Sequence, residues 1–386
     1  MAKSYLSKQV SNLKPSGIRR FFEIAATMKE VISLGIGEPD FDSPQRVIDA
    51  GIQALQKNET HYTSNRGLLP LRETLSDHLN NLYKVRYDPQ TEIVFTVGGS
   101  EALNIACAAI LDPGDEVILP TPCFVSYQGV ISLAGGVPVE IPSRMENNFL
   151  PDPEALENAI TKNTKAILLN FPSNPTGAVA DKDTLIEIGR IAEKHDLVVI
   201  SDEIYDRLVY GEGHVCFPAL PEMRERTILI GGFSKDYAMT GWRIGFACAP
   251  EKIMDGIARV HQYIIMTAPT IAQFGALEAL ESCESDVKYM VQEYDRRRKL
   301  IVQGLNYIGL PTFEPHGAFY AFPKVDVTGL SDDEFAERLL HEKHVAVVPG
   351  SAFGPGGEGF VRCSYATAFD QIEEALDRID QFVKSL

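Results

Sequence analysis

Gly232-Phe233-Ser234-Lys235-Asp236-Tyr237-Ala238-Met239-Thr240-Gly241-Trp242-Arg243-Ile244-Gly245 follows the apolar run from Thr227 to Ile230. A lysine therefore stands where a buried strand ends, among small residues, with an arginine eight positions further on. A lysine desolvated near other cationic groups has a lowered pKa and attacks a carbonyl as the free amine, giving a Schiff base. A bare Ser-Lys pair would mean no more than a turn with a solvated lysine, and it is the longer pattern that argues for chemistry.

Outward from this stretch, from about residue 45 to 280, helical patterns alternate with short apolar runs at Ile93–Val97, Glu116–Leu119, Val137–Ile141, Ala166–Asn170, Val198–Ser201, Ile228–Ile230 and Phe246–Cys248. That alternation predicts a mostly parallel central sheet wrapped by helices, an α/β architecture. Ligands of open α/β sheets gather at the carboxyl ends of such strands. The first run ends in Gly98-Gly99-Ser100-Glu101, a glycine turn into an apolar helix whose free N–H groups and hydroxyl suit a phosphate. The second leads to Phe124, an aromatic that in most chains is core filler. Ala166–Asn170 leads to Asn174-Pro175-Thr176-Gly177, a strong turn in its own right. Val198–Ser201 leads to Asp202-Glu203-Ile204-Tyr205, where a carboxylate beside a buried strand needs a partner.

Lys235 to Gly245 and Asn174 to Gly177, taken together, resemble signatures of the class I and II aminotransferases, fold-type I enzymes of pyridoxal 5'-phosphate. The resemblance runs from Gly37 to Arg362 and implies roles residue by residue. Lys235 would hold the cofactor aldehyde and later move the substrate proton. Arg243 would contact the cofactor phosphate, cupped by Gly99 and Ser100 with Glu101 alongside. Phe124 would stack on the pyridine ring, Asp202 would meet its nitrogen, and Asn174 and Tyr205 its phenolic oxygen. Gly37, Asn174 and Arg362 would receive the substrate carboxylate. Tyr62 would reach the phosphate of a neighbouring subunit, which implies a homodimer. The pattern departs from the family at Gly231 and Gly232, where many members carry a polar side chain. Part of the phosphate contact is then either missing or carried by Ser234.

Length and composition agree with a two-lobed enzyme: 386 residues, 45% hydrophobic and 23% charged. The expected division is an arm and part of a small domain at 1–44, a large cofactor-binding domain at 45–284 and a small α+β domain at 285–386. An amphipathic helix is expected over Ser16–Lys29, and the small domain should hold helices at Asp286–Tyr307, Ser331–Lys343 and Phe369–Val383. Arg362 lies mid-strand in Phe360–Ser364, where a charge should face solvent or an anion, and arginine grips carboxylates through two parallel hydrogen bonds.

A net charge of −17 argues against nucleic acid as a partner, and the run Arg296-Arg297-Arg298-Lys299 reads as a solvated helix face. No segment has the length and apolarity of a membrane span or signal peptide, so a cytoplasmic protein is expected. The six cysteines show no ligand or disulfide spacing and read as reduced core thiols. His341-Glu342-Lys343-His344 lacks the histidine that a zinc helix would need at 345, and no metal is expected. Gly354 to Gly359 has dinucleotide-loop spacing but leads into a strand, and Gly35 to Gly37 lacks the third glycine.

The function expected is transfer of an amino group from an aromatic amino acid, aspartate or alanine to a 2-oxo acid, with 2-oxoglutarate as acceptor. A β-lyase of the cystathionine or cysteine type shares the cofactor and diverges only after Cα is deprotonated. A ligand-binding regulator domain is disfavoured by the negative charge. His261 to Ala268 offers Ile265 and Met266 but no cation, which leans toward an apolar or aromatic donor.

Overall fold

Strands buried on both faces are built from unbroken apolar runs. The computed structural model describes residues 5–13, 28, 30–211 and 213–386; the helix expected over Ser16–Lys29 lies, Met28 apart, outside the described residues. After a short strand, β1 (Ile32–Ser33), come β2 (Ile93–Thr96), β3 (Glu116–Thr121), β4 (Val137–Pro142), β5 (Thr164–Asn170), β6 (Val198–Asp202), β7 (Thr227–Gly232) and β8 (Gly245–Cys248). Strands β2 to β8 form one sheet in the order β2-β8-β7-β6-β5-β3-β4.

Neighbours from β7 through β4 run parallel, whereas β8 is antiparallel to both β7 and β2. A parallel return needs a long crossover, usually a helix. Phe233 to Ile244 contains only the 3-10 turn Thr240–Trp242, so the chain doubles back. Gly232 therefore lies opposite Gly245, and the loop carrying both Lys235 and Arg243 hangs over the carboxyl end of β7. Alternate residues serve opposite faces. Val94, Ile228, Ile230 and Ala247 pack with Leu103 and Ile257 of helices Gly98–Ile110 and Glu251–Ile264. Phe95, Leu229 and Phe246 pack with Leu75 and Ala276 of helices Leu69–Tyr83 and Thr270–Ser282.

The later chain adds β9 (Tyr320–Ala321), β10 (Val345–Ala346), β11 (Val348–Pro349) and β12 (Val361–Ser364). An antiparallel sheet β11-β12-β9 forms, and β1 pairs in parallel with β10. Helices Glu284–Ile308, Asp332–Lys343 and Phe369–Val383 cover this unit, and Ile32 and Leu34 share its core. The Ser364 N–H donates to the Leu34 carbonyl, which carries the following Gly35–Gly37 segment alongside β12.

The basic run on helix Glu284–Ile308 is only half solvated. Arg296 and Lys299 are exposed, but the Arg297 and Arg298 side chains are each 8% exposed. Arg297 pairs with Asp40 at 2.7 Å and lies over the Phe41 ring, and Arg298 pairs with Asp295 and Glu314. The helix turns that face into the protein, where ion pairs and aromatic faces replace water.

Candidate active site

Strand ends from the large sheet and residues of the smaller unit enclose a cavity of about 370 Å³. Its walls include Gly37, Gly99, Ser100, Phe124, Asn174, Asp202, Tyr205, Ser234, Lys235, Arg243 and Arg362, all expected from the sequence. The Lys235 amine donates to the Gly37 carbonyl at 2.5 Å. Its pKa is pushed down to about 8, first by burial and then by the Arg362 guanidinium, with Arg243 adding to the effect.

Asp202 ends β6 opposite Asn170, the last residue of β5. Its carboxylate accepts hydrogen bonds from the Tyr127 phenol at 2.8 Å and from the Ile204 N–H at 3.2 Å. Burial nevertheless lifts its pKa to about 6, the two hydrogen bonds only moderating the rise. The Asn170 amide donates to the Asp202 carbonyl and accepts from the Asn174 N–H, which ties together the two strand ends that carry polar groups.

Arg362 is 3% exposed on β12. It donates to the Asn174 side-chain oxygen at 2.8 Å and to the Gly35 carbonyl at 2.6 Å. Its Nε–H is buried without a partner among the described residues. The guanidinium lies 4.5 Å from the centre of the Tyr320 ring, whose hydroxyl meets that of Tyr205 at 2.8 Å.

At the opposite end, helix Gly98–Ile110 starts without a side-chain cap from Val97, which leaves first-turn N–H groups available to an anion. Gly98 has φ +71°, and a Cβ there would stand 2.7 Å from Arg243 Nη2. This close approach makes a cradle of backbone donors with a guanidinium beside it. Glu101 is not in the cavity wall: its carboxylate turns back to accept from the Val97 N–H and from His261 Nδ1 at 2.7 Å. It braces the turn rather than facing a ligand. Tyr62 also lies outside the cavity, 77% exposed beside a surface groove formed by residues 59–62 and 267–271.

The glycine at 231 has a packing cause. A Cβ there would lie 2.3 Å from Cζ of Phe246, so the aromatic of β8 occupies the space a polar side chain would need. Ser234, by contrast, does line the cavity.

Sequence reasoning missed Tyr127, Asn170 and Tyr320. Tyr127 had a signal, since it follows Phe124 by only three residues after the same strand, and the two rings meet edge to face with centroids 5.6 Å apart. Asn170 was legible as the polar end of an apolar strand. Tyr320 carried none, because its importance depends on a strand register with β12.

These groups fit pyridoxal phosphate: a helix-start cradle with an arginine for a phosphate, an aromatic for a ring, a buried carboxylate for a cationic ring nitrogen and a lysine of lowered pKa for an aldehyde. Among the described residues, no group of three or more His, Cys, Asp or Glu side chains could hold a metal ion. The sequence profile described as aminotransferase class I and II matches residues 29–379. The Bacillus subtilis protein YugH is 52% identical over 98% of both chains, and an aspartate aminotransferase of Pyrococcus abyssi is 47% identical, also over 98% of both. The crystal structure of an aromatic aminotransferase from Pyrococcus horikoshii superposes with a TM-score of 0.91 at 45% identity, covering 96% of this chain and 99% of that one.

Proposed function

The chain belongs to the class I and II aminotransferases, and from that premise we propose how its cavity divides the work. The protein is a pyridoxal-phosphate-dependent transaminase, and its relatives support that activity rather than a β-lyase. Pyridoxal phosphate, when bound, supplies an aldehyde for the amine and a ring that takes up the electron pair left when Cα loses its proton.

Gly99, Ser100, Ser234 and Arg243 hold the phosphate, and Phe124 covers the ring. Asn174 and Tyr205 serve the phenolic oxygen, and Asp202 keeps the ring nitrogen protonated. Lys235 is both the anchoring amine and the base that moves the proton at the substrate Cα; its lowered pKa leaves a useful share of free amine near neutral pH. Gly37, Asn174 and Arg362 receive the α-carboxylate. The observation that carries this reading is the Arg362 Nε–H, buried and unpartnered in the cavity that holds Lys235. A buried donor of this kind calls for an acceptor.

The described cavity wall has three cations, Lys235, Arg243 and Arg362, each with a task, while Glu38 adds a carboxylate. That balance supports an aromatic or apolar donor over aspartate. Both points meet in one assay, in which phenylalanine, alanine and aspartate are compared with 2-oxoglutarate as acceptor. Phenylalanine is expected to give the highest kcat/KM. Arg362→Lys, which cannot pair in two parallel bonds, is expected to lower that value by roughly 10²-fold, mainly through KM. Aspartate as the best donor, or an unchanged KM, would overturn the respective assignment.

A homodimer completes the reading, with Tyr62 reaching the partner's phosphate site. It is supported by the exposed apolar side chains of Tyr62, Tyr263, Ile264, Ile265 and Met266. Sedimentation is expected to give a dimer, and Tyr62→Phe to weaken cofactor retention several-fold; a monomer with full activity would refute it. We place the protein in the cytoplasm, where its six free cysteines stay reduced.

A further inference from the structure

We propose that Tyr320 is a positioning residue with two separable tasks: its hydroxyl donates to Tyr205, so that the Tyr205 proton is directed into the cavity, and its ring face carries Arg362. This rests on the reading that Tyr205 serves the cofactor's phenolic oxygen and Arg362 the substrate carboxylate.

Tyr320 opens β9, beside Ser364 of β12, and is fully buried. That register puts its ring under the guanidinium of Arg362. Its hydroxyl extends past the ring to Tyr205, and the two rings stand at 79° with centroids 5.9 Å apart. On its other side the hydroxyl abuts Gly37: a Cβ added there would lie 2.5 Å from the Tyr320 oxygen. The hydroxyl is thus confined between Gly37, whose carbonyl accepts from Lys235, and Tyr205.

A phenol has a single proton. If Tyr205 gives its proton to a ligand oxygen, the proton in the Tyr205–Tyr320 hydrogen bond must come from Tyr320. A phenol that accepts a hydrogen bond is a better donor, because hydrogen bonds in a chain polarise one another. The ring of Tyr320 acts independently of this, through the cation over its face. Lys235, Arg243, Arg362, Asp202 and Glu38 share the cavity with the pair, so every variant must keep these charges unchanged.

The test uses the holoenzyme as wild type, Tyr205→Phe, Tyr320→Phe and the double variant, with the pKa of the bound cofactor read from its absorption spectrum. Loss of the Tyr205 donor is expected to raise that pKa by about 1–2 units, since the bond favours the ionised oxygen. Tyr320→Phe is expected to raise it by about 0.3 unit. The double variant should shift no further than Tyr205→Phe alone, because the two hydroxyls act as one chain. Gly37→Ala displaces the same hydroxyl by a different route and should reproduce the Tyr320→Phe shift.

In parallel, the affinity for 3-phenylpropanoate, an unreactive carboxylate, is measured on the same proteins and on Tyr320→Leu. Tyr320→Phe keeps the ring and should change it by less than about twofold, whereas Tyr320→Leu should weaken it roughly 3- to 30-fold. The inference falls if Tyr205→Phe shifts the pKa while Tyr320→Phe does not, if the two shifts add in full, or if Tyr320→Leu binds the carboxylate like wild type. A Tyr205→Phe protein with an unshifted pKa would instead remove the underlying assignment of Tyr205, and the hydroxyl's task with it.

Discussion

Replacing Lys235 by alanine is expected to lower kcat by more than about 10⁴-fold, because one side chain serves as anchoring amine and as base, and a positioned base alone contributes about 10²–10⁴. Borohydride treatment of the variant should no longer add the mass of the cofactor to the chain. A second signature is readable without cofactor. The Lys235 pKa is lowered from its ordinary 10.5 to about 8, so between those values the unfolded chain binds more protons than the native one. Lys235 therefore adds stability to the apoprotein as the pH rises from about 8 toward 10.5, against the opposite pull of the buried cysteine thiols whose pKa values burial raises, and that contribution is lost as the pH falls back through 8. Wild type should therefore gain stability relative to Lys235→Ala across this window, which a series of thermal melts on both apoproteins would reveal. A variant keeping more than about 1% of the activity would end the assignment of both roles.

Asp202→Asn is expected to cost about 10²–10³-fold in kcat, on the scale of breaking a buried ion pair, with little change in KM. Asparagine can still accept from the Ile204 N–H through its oxygen and donate its amide to the Tyr127 hydroxyl, so the local fold should persist. It cannot balance a protonated ring nitrogen. Attachment through Lys235 should survive, so borohydride still adds the cofactor's mass, which separates this variant from Lys235→Ala. The sign of its pH effect is opposite. Burial raises the Asp202 pKa from 3.8 to about 6, so the native apoprotein holds a proton that the unfolded chain has lost. Asp202 therefore costs the apoprotein stability as the pH rises from about 4 to about 6, and Asp202→Asn should melt no lower than wild type at pH 7. A kcat within tenfold of wild type would show that the ring nitrogen is balanced by another group.

The sequence by itself determined which polar groups and turns stand at the strand ends. Lys235, Asp202, Asn174 and the Gly98–Ser100 turn each sit within a few residues of an apolar run, and short-range spacing is enough to carry a polar group from a buried strand to its exposed end. The same locality made the last helix, Phe369–Val383, readable from its apolar spacing alone. What only the tertiary structure decided depends on segments distant in sequence. The antiparallel return of β8 brings Arg243 back to the end of the sheet that carries Lys235. The Phe246 ring, not a missing ligand contact, accounts for the glycine at 231. Glu101 turns to His261, and Arg297 and Arg298 turn inward to acidic partners, although their own neighbourhoods read as a cofactor turn and a solvated face. Tyr320 meets Arg362 and Tyr205 through strand register. Which buried polar group meets which partner is fixed by the packing of whole elements, where unpaired polar atoms are costly, and that constraint leaves no local mark in the chain.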